Sequence, residues 1–97
     1  MEMDFSDNFI LVEALRNGNE HAYSFLMDTY HHQLCVYAYG LTRDYDQAED
    51  IVQNVLVRIW RKRHNLKTDF SFKSYLYRSV YNEFIDHYRK QKKSLNT

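Results

Sequence analysis

The stretch DQAEDIVQNVLVRIW, residues 46–60, decides the fold class of this chain. Its apolar residues recur every three or four positions, which places their side chains on one face of an α-helix. Asp46 and Glu49 form a capping-box-like pair that predicts a helix beginning at Asp46. The bases at residues 61–63 follow the acids of the first turn, and both groups complement the helix dipole. The predicted apolar face consists of Ala48, Ile51, Val52, Val55, Leu56, Ile59 and Trp60.

Two helices are predicted upstream of this stretch. The first runs from about Ser6, its expected N-cap, to about Asn17, and Gly18 ends it. The second begins after Asn19, which is a favourable N-cap residue, and runs to about Leu41. Its apolar residues again step by three and four, so we expect one buried face.

A further helix is predicted downstream, after a loop over His64–Ser71. Ser71 is its expected N-cap, and the helix runs to about Lys90. Its expected inward residues are Leu76, Val80, Phe84, Ile85 and Tyr88. No long stretch alternates with the period of two that strands require, so we predict an all-α fold, a compact three- to four-helix bundle.

The composition predicts one globular domain over residues 1–97. Apolar residues make up 44% of the chain and charged residues 27%, and no apolar run is long enough to span a membrane. Acids near the N-terminus argue against a secretory signal. Because Cys35 is the single cysteine, a reducing cytoplasm is the expected compartment, and we expect Cys35 to pack as a small apolar residue.

The zero net charge hides a strong asymmetry between the two parts of the chain. Residues 1–57 contain ten acids and two bases, whereas residues 58–97 contain eleven bases and three acids. Such a distribution predicts a basic surface for a polyanion on one part and a different partner for the other.

The predicted last helix carries a polar face on which three bases, one acid and one amide are spaced by three and four residues. The members of this face are Arg78, Asn82, Asp86, Arg89 and Lys93. Aromatic residues stand in and after the preceding loop, at Phe70, Phe72, Tyr75, Tyr77 and Tyr81. Bases interleaved with aromatics suit single-stranded nucleic acid, because exposed rings stack on unpaired bases. The alternative is that the aromatics form the core and the basic face is merely solvated.

Enzymatic and metal-binding functions find little support. Glu49 and Asp50 are adjacent, so on a helix their side chains diverge and cannot act as a paired acid and base. His31 or His32 with Cys35 supplies two ligands, whereas a zinc site needs three or four. We therefore predict a protein that is not an enzyme and needs no cofactor.

Two motifs resemble a known family. Residues 46–60 are similar to the pattern AEDIVQ-x-x-F-x-x-x-W of extracytoplasmic-function (ECF) sigma factors of bacterial RNA polymerase, with Leu56 in place of the phenylalanine. FKSYLYRSVYNEFIDHYRK, residues 72–90, resembles the promoter-reading helix W-L-x-x-I-A-x-N-x-x-x-D-x-x-R, with Tyr75 where tryptophan is common. AYSFLMDTY, residues 22–30, resembles the first conserved helix. The chain is thus identified as a region 2 domain that lacks the C-terminal region 4 domain, with residues 91–97 as the expected start of a linker.

The resemblance implies two interfaces. The third helix would dock on the clamp-helix coiled coil of the polymerase β′ subunit, through Asp50, Gln53, Arg58, Trp60 and Arg61. The loop and last helix would melt and read the non-template strand of the promoter −10 element, with a flipped base in a pocket beside the loop and Asn82 as its hydrogen-bonding residue. The implied DNA-binding residues are Phe70, Arg78, Asn82, Asp86, Arg89, Lys90, Lys92 and Lys93.

The resemblance also implies an anti-sigma factor as a partner. An alternative function is a helical interaction module that occupies polymerase, or binds another regulator, without reading DNA.

Overall fold

The computed structural model describes residues 3–68 and 71–95, and of residues 93–95 it describes the backbone alone. The helices are α1 (Asn8–Arg16), α2 (Glu20–Thr42), α3 (Tyr45–Arg61) and α4 (Phe72–Leu95), with a short 3-10 turn at Arg63–Asn65. The described residues contain no strand. The all-α prediction is confirmed. The helix predicted to end near Lys90 continues to Leu95.

Side chains at the helix starts show which predicted caps form. Asn19 caps α2 by accepting hydrogen bonds from the backbone N–H groups of residues 21 and 22, as predicted. Ser71 Oγ accepts from the backbone N–H of Ser74 at 3.3 Å at the start of α4, which confirms that cap also. Asp7 rather than Ser6 caps α1, because its carboxylate accepts from the Ile10 N–H at 3.1 Å.

The predicted start of α3 at Asp46 is wrong. Asp44 has the extended backbone of an N-cap, and its carboxylate accepts from the Gln47 N–H at 3.1 Å. Thr42 Oγ1 accepts from the Asp44 N–H at 3.0 Å and donates to the Asp44 carbonyl, which fixes this residue before the first turn. The helix therefore begins at Tyr45, and Asp46 stands inside its first turn.

The core lies where α2 packs against both α3 and α4, with α1 closing one end. Every residue predicted for the apolar face of α3 is buried, except Trp60, which is partly buried. In α4, Leu76 and Val80 are buried as predicted, and Phe84 and Ile85 are partly buried. Tyr88, predicted to face inward, is 55% exposed because the inward face of α4 continues through Glu83 and His87 instead.

None of the helices formed by the described residues combines the length and hydropathy that a bilayer-spanning helix needs.

Candidate functional site

The outer face of α3 brings together three of the five predicted polymerase-binding residues. Asp50, Gln53 and Arg61 are all exposed, and their spacing of three and eight residues places them on one side of the helix. Val57 lies among them and is 41% exposed. Sequence reasoning missed Val57, although an apolar residue outside the buried stripe was a signal for it. We call Asp50, Gln53, Val57 and Arg61 the α3 outer face.

Arg58, a fourth predicted polymerase-binding residue, is turned toward α4. Its Nη2 donates to Glu83 Oε1 at 2.6 Å, and Glu83 is the buried charged residue of the described chain, at 5% exposure. The other carboxylate oxygen of Glu83 lies 3.2 Å from His87 Nε2. His87 Nε2 is in turn 3.9 Å from Asp50 Oδ2. A polar network thus joins α3 to α4 beneath the α3 outer face.

The carboxylate of Glu83 remains charged in this network. Burial alone raises its pKa, but the hydrogen bond and the charge of Arg58 oppose that effect, with smaller contributions from His87 and Asn54. The net result is a pKa below the ordinary value of 4.5. Glu83 was not predicted as a functional residue, and its contact with Arg58 spans 25 positions of sequence.

Trp60, the fifth predicted polymerase-binding residue, is half-buried between α2 and the 3-10 turn. Its ring lies 4.9 Å from the Tyr23 ring, and the Arg63 guanidinium stands 4.5 Å above its centroid. The Tyr23 hydroxyl donates to the Leu56 carbonyl at 3.1 Å, so both aromatic residues bind α2 to α3. Packing within the domain accounts for Trp60, and its role in docking stays a prediction.

The outer face of α4 carries most of the predicted DNA-binding residues. Arg78, Asn82, Asp86 and Arg89 are exposed at helical spacing, opposite the buried Leu76. The side chains of Lys90 and Lys92 are exposed as well. The side chain of Lys93 and the whole of Phe70 lie outside the described residues.

The aromatic residues of this region divide between core and surface. Phe72 is buried, and Tyr77 is partly buried with its ring 5.0 Å from that of Tyr37. Tyr75 and Tyr81 are exposed at 41% and 44%. The alternative that the aromatics form the core therefore holds for the first pair, whereas the second pair is free to meet a ligand.

A cavity of about 180 Å³ lies beside the loop that precedes α4, the region in which the family resemblance implies a pocket for a base. Its lining residues are Asn65, Leu66, Lys67, Ser71, Phe72 and Tyr75. The rings of Phe72 and Tyr75 lie 6.0 Å apart and nearly parallel. Asn8 Oδ1 accepts from the Phe72 N–H at 2.7 Å, which ties this wall of the cavity to α1. We call it the loop pocket.

The cysteine and histidine pair forms no metal centre in the described part of the chain. Cys35 Sγ lies 3.8 Å from His31 Nε2, but no group of three or more metal-ligating side chains occurs among the described residues. Burial, and secondarily the charge of Glu49, raise the pKa of the Cys35 thiol. A half-buried thiol with a raised pKa is a poor nucleophile at neutral pH.

The described residues thus form an all-α domain with a partly acidic face on one helix and a basic face beside a small pocket on another. The model of the family described as Sigma-70 region 2 matches residues 26–94. The chain therefore belongs to the Sigma-70 region 2 family. The resemblance to an ECF sigma factor region 2 is thereby confirmed, and with it the prediction that the chain is not an enzyme.

Curated relatives carry matching names. The chain is 32% identical over 72 residues to the ECF RNA polymerase sigma factor SigX of Bacillus subtilis, a match that covers 74% of this chain and 37% of the relative. It is 27% identical over 77 residues to the RNA polymerase sigma-H factor of Pseudomonas aeruginosa, covering 79% of this chain and 40% of the relative. The matches thus span about two fifths of these relatives. No solved structure matches the chain significantly.

Proposed function

We propose that this domain serves transcription initiation by docking on the β′ clamp helices of RNA polymerase and capturing the non-template strand of the promoter −10 element. The α3 outer face is the docking surface, and the loop pocket with the α4 outer face is the DNA-binding surface. The observation that carries the proposal is the ring-sized loop pocket, which opens beside the exposed Tyr75 at the start of the basic helix face.

The size of the loop pocket suits one base. Apolar cavities of about 150 Å³ accept a benzene ring, and sites for drug-sized ligands begin at about 300 Å³. At about 180 Å³ the loop pocket lies between these two values. Tyr75 forms one side of it, and Asn82 stands two helical turns further along the same face of α4. Asn82 is the proposed hydrogen-bonding residue for a base edge, since asparagine can both donate and accept.

The distribution of charge supports different partners for α3 and α4. Among the described residues, Arg78, Arg89, Lys90 and Lys92 form no ion pair, so their charges are available for phosphates. The amino half of α3 exposes acids at residues 46, 49 and 50, which complement a basic partner surface. Because base flipping costs a few kcal/mol, we expect weak DNA binding until polymerase contacts share that cost.

The DNA-binding part is tested with a fluorescent single strand of the −10 element, titrated with the chain at low salt. Loss of a stacking ring costs about 1–3 kcal/mol, so Tyr75→Ala should weaken binding roughly 5- to 150-fold. Tyr88→Ala removes another exposed tyrosine of α4, which does not line the pocket, and should leave affinity unchanged. Asn82→Ala should alter the preference among bases substituted in the strand.

The helical interaction module is the competing function. Under it, Tyr75→Ala and Asn82→Ala would leave strand binding and base preference unchanged, and the DNA-binding part of the proposal would be wrong. An anti-sigma factor stays a predicted partner, for which the family relationship is the support.

A further inference from the structure

A second, open groove adjoins the loop pocket on the side away from α4. The carboxyl end of α1 forms one wall, and the 3-10 turn with the segment that follows it forms the other. The lining residues are Arg16, His64, Asn65, Leu66, Lys67 and Thr68. Asn65, Leu66 and Lys67 also line the loop pocket, so the two cavities share a wall. We call this second cavity the α1 groove.

The titratable side chains that line the α1 groove are all basic. Arg16 is one of only two bases in residues 1–57, and the fold places it beside His64 and Lys67 from the basic part of the chain. No acid is among the described lining residues. The fold thus brings together basic side chains that are about 50 positions apart in the sequence.

Arg16 has an acidic neighbour, but that neighbour leaves it able to bind an anion. Glu13 Oε1 lies 3.1 Å from Arg16 Nη1, and the two side chains are 40% and 42% exposed. Exposed pairs of this kind contribute little, because water screens both charges. Nη2 and Nε of Arg16 make no hydrogen bond among the described residues, and a guanidinium binds phosphate through such a pair of donors.

Arg63, which directly precedes the lining residue His64, adds a further positive charge near the groove. Its guanidinium stacks on Trp60, and its Nη1 donates to the Trp60 carbonyl at 2.9 Å. Its Nε is buried and has no hydrogen-bond partner among the described residues. No acid of the described chain pairs with Arg63, so its charge contributes to a positive potential here.

We propose that the α1 groove binds the phosphodiester backbone of the same single strand whose base occupies the loop pocket, on the side of that base away from α4. Arg16 and Lys67 are the phosphate-binding residues. This inference rests on the proposed function and extends it, because it lengthens the DNA contact beyond the residues that the sequence motifs indicate. It also gives α1 a role in binding, although α1 lies outside the stretch that matches the family model.

The test compares two lengths of single-stranded DNA on the full chain. The short strand covers the −10 element alone, and two longer strands extend it at the 5′ or the 3′ end. Fluorescence anisotropy gives the dissociation constant at several salt concentrations. The variant is Arg16→Gln, because Arg16 lines the α1 groove and not the loop pocket, whereas Lys67 lines both. Glu13→Gln is one control, since it breaks the Arg16 pair without removing a base, and Arg43→Gln is the other, since it removes the second base of the acidic part.

We expect one of the two extensions to tighten binding, and Arg16→Gln to reduce that gain. Each phosphate contact to a single strand contributes about 0.7 to the slope of log affinity against log salt, so Arg16→Gln should lower that slope by about 0.7 on the extended strand only. Both controls should keep the gain.

The inference is wrong if neither extension tightens binding, if Arg16→Gln leaves the gain unchanged, or if Arg16→Gln weakens the short and the extended strands equally. These outcomes are separate from failure of the proposed function, which would appear as short-strand binding that ignores Tyr75→Ala and Asn82→Ala. Circular dichroism of each variant confirms that the helical fold is kept.

Discussion

Glu83 offers the sharpest test of how α3 and α4 are held together. Its buried carboxylate accepts from Arg58 at 2.6 Å and contacts His87 at 3.2 Å. Glu83→Gln keeps the shape of the side chain and its capacity for hydrogen bonds but removes the charge. We expect the variant to fold and to be less stable, because the hydrogen bond from Arg58 across the helix interface loses its ionic component.

The magnitude follows from the exposure of the partners. A hydrogen bond to a charged group contributes about 1.5–3 kcal/mol, against about 0.5–1.5 kcal/mol for a neutral one. The side chain of Arg58 is 50% exposed, so water can solvate its charge when residue 83 is neutral. The penalty of several kcal/mol for leaving a buried charge without a partner therefore does not apply to Arg58. We therefore expect a loss of about 1.5 kcal/mol, which lowers Tm by roughly 6–12 °C in a domain of this size.

Thermal unfolding followed by circular dichroism at neutral pH measures this loss. Glu13→Gln is the matched control, because it makes the same change in an exposed ion pair and should cost less than about 0.5 kcal/mol. Equal stability of Glu83→Gln and the unmodified chain would refute the reasoning, and so would an equal loss in both variants.

Two further predictions concern pH and capping. The pKa of Glu83 is lower in the folded state than its ordinary value of 4.5. The carboxylate therefore stabilises the fold above pH 4.5, and this stabilisation is lost as the pH falls through the folded-state pKa. When Tm is measured against pH in the acid range, it should fall less steeply in Glu83→Gln than in the unmodified chain. Asp44→Ala removes the N-cap of α3 and should lower the free energy of unfolding, measured in urea, by about 1 kcal/mol. Asp46→Ala should lower it by less than half as much. A larger loss in Asp46→Ala than in Asp44→Ala would contradict the observed cap.

The sequence predicted best what depends on local spacing. The apolar stripe of α3 and the Asn19 cap follow from rules that operate within one or two helical turns, and the structure has both. The start of α3 was less predictable, since Asp44 and Asp46 are both good caps. The structure favours Asp44, whose extended backbone is held by hydrogen bonds with Thr42 and whose carboxylate accepts from the Gln47 N–H.

Contacts between residues far apart in the sequence could not be predicted from local spacing. In the sequence, Arg58 stands outside the apolar stripe of its helix, as a docking residue would. In the structure it pairs with Glu83, because the packing of α3 against α4 brings the two side chains together, and neither sequence motif predicts that contact. The place of Arg16 beside Lys67 depends in the same way on how α1 packs against the 3-10 turn. The face of α4 that points inward also shifts from Tyr88 to His87, because polar residues can be buried once they find partners.

The central claim is that the α3 outer face docks on polymerase, and binding of this chain to a purified β′ clamp-helix fragment tests it most directly. Isothermal titration calorimetry would compare the unmodified chain, Asp50→Ala, and Asp28→Ala as a control that removes an exposed acid from α2. We expect saturable binding that Asp50→Ala weakens about tenfold or more, corresponding to about 1.4 kcal/mol, and that Asp28→Ala leaves unchanged. No binding by the folded chain, or equal binding by all three proteins, would contradict the claim.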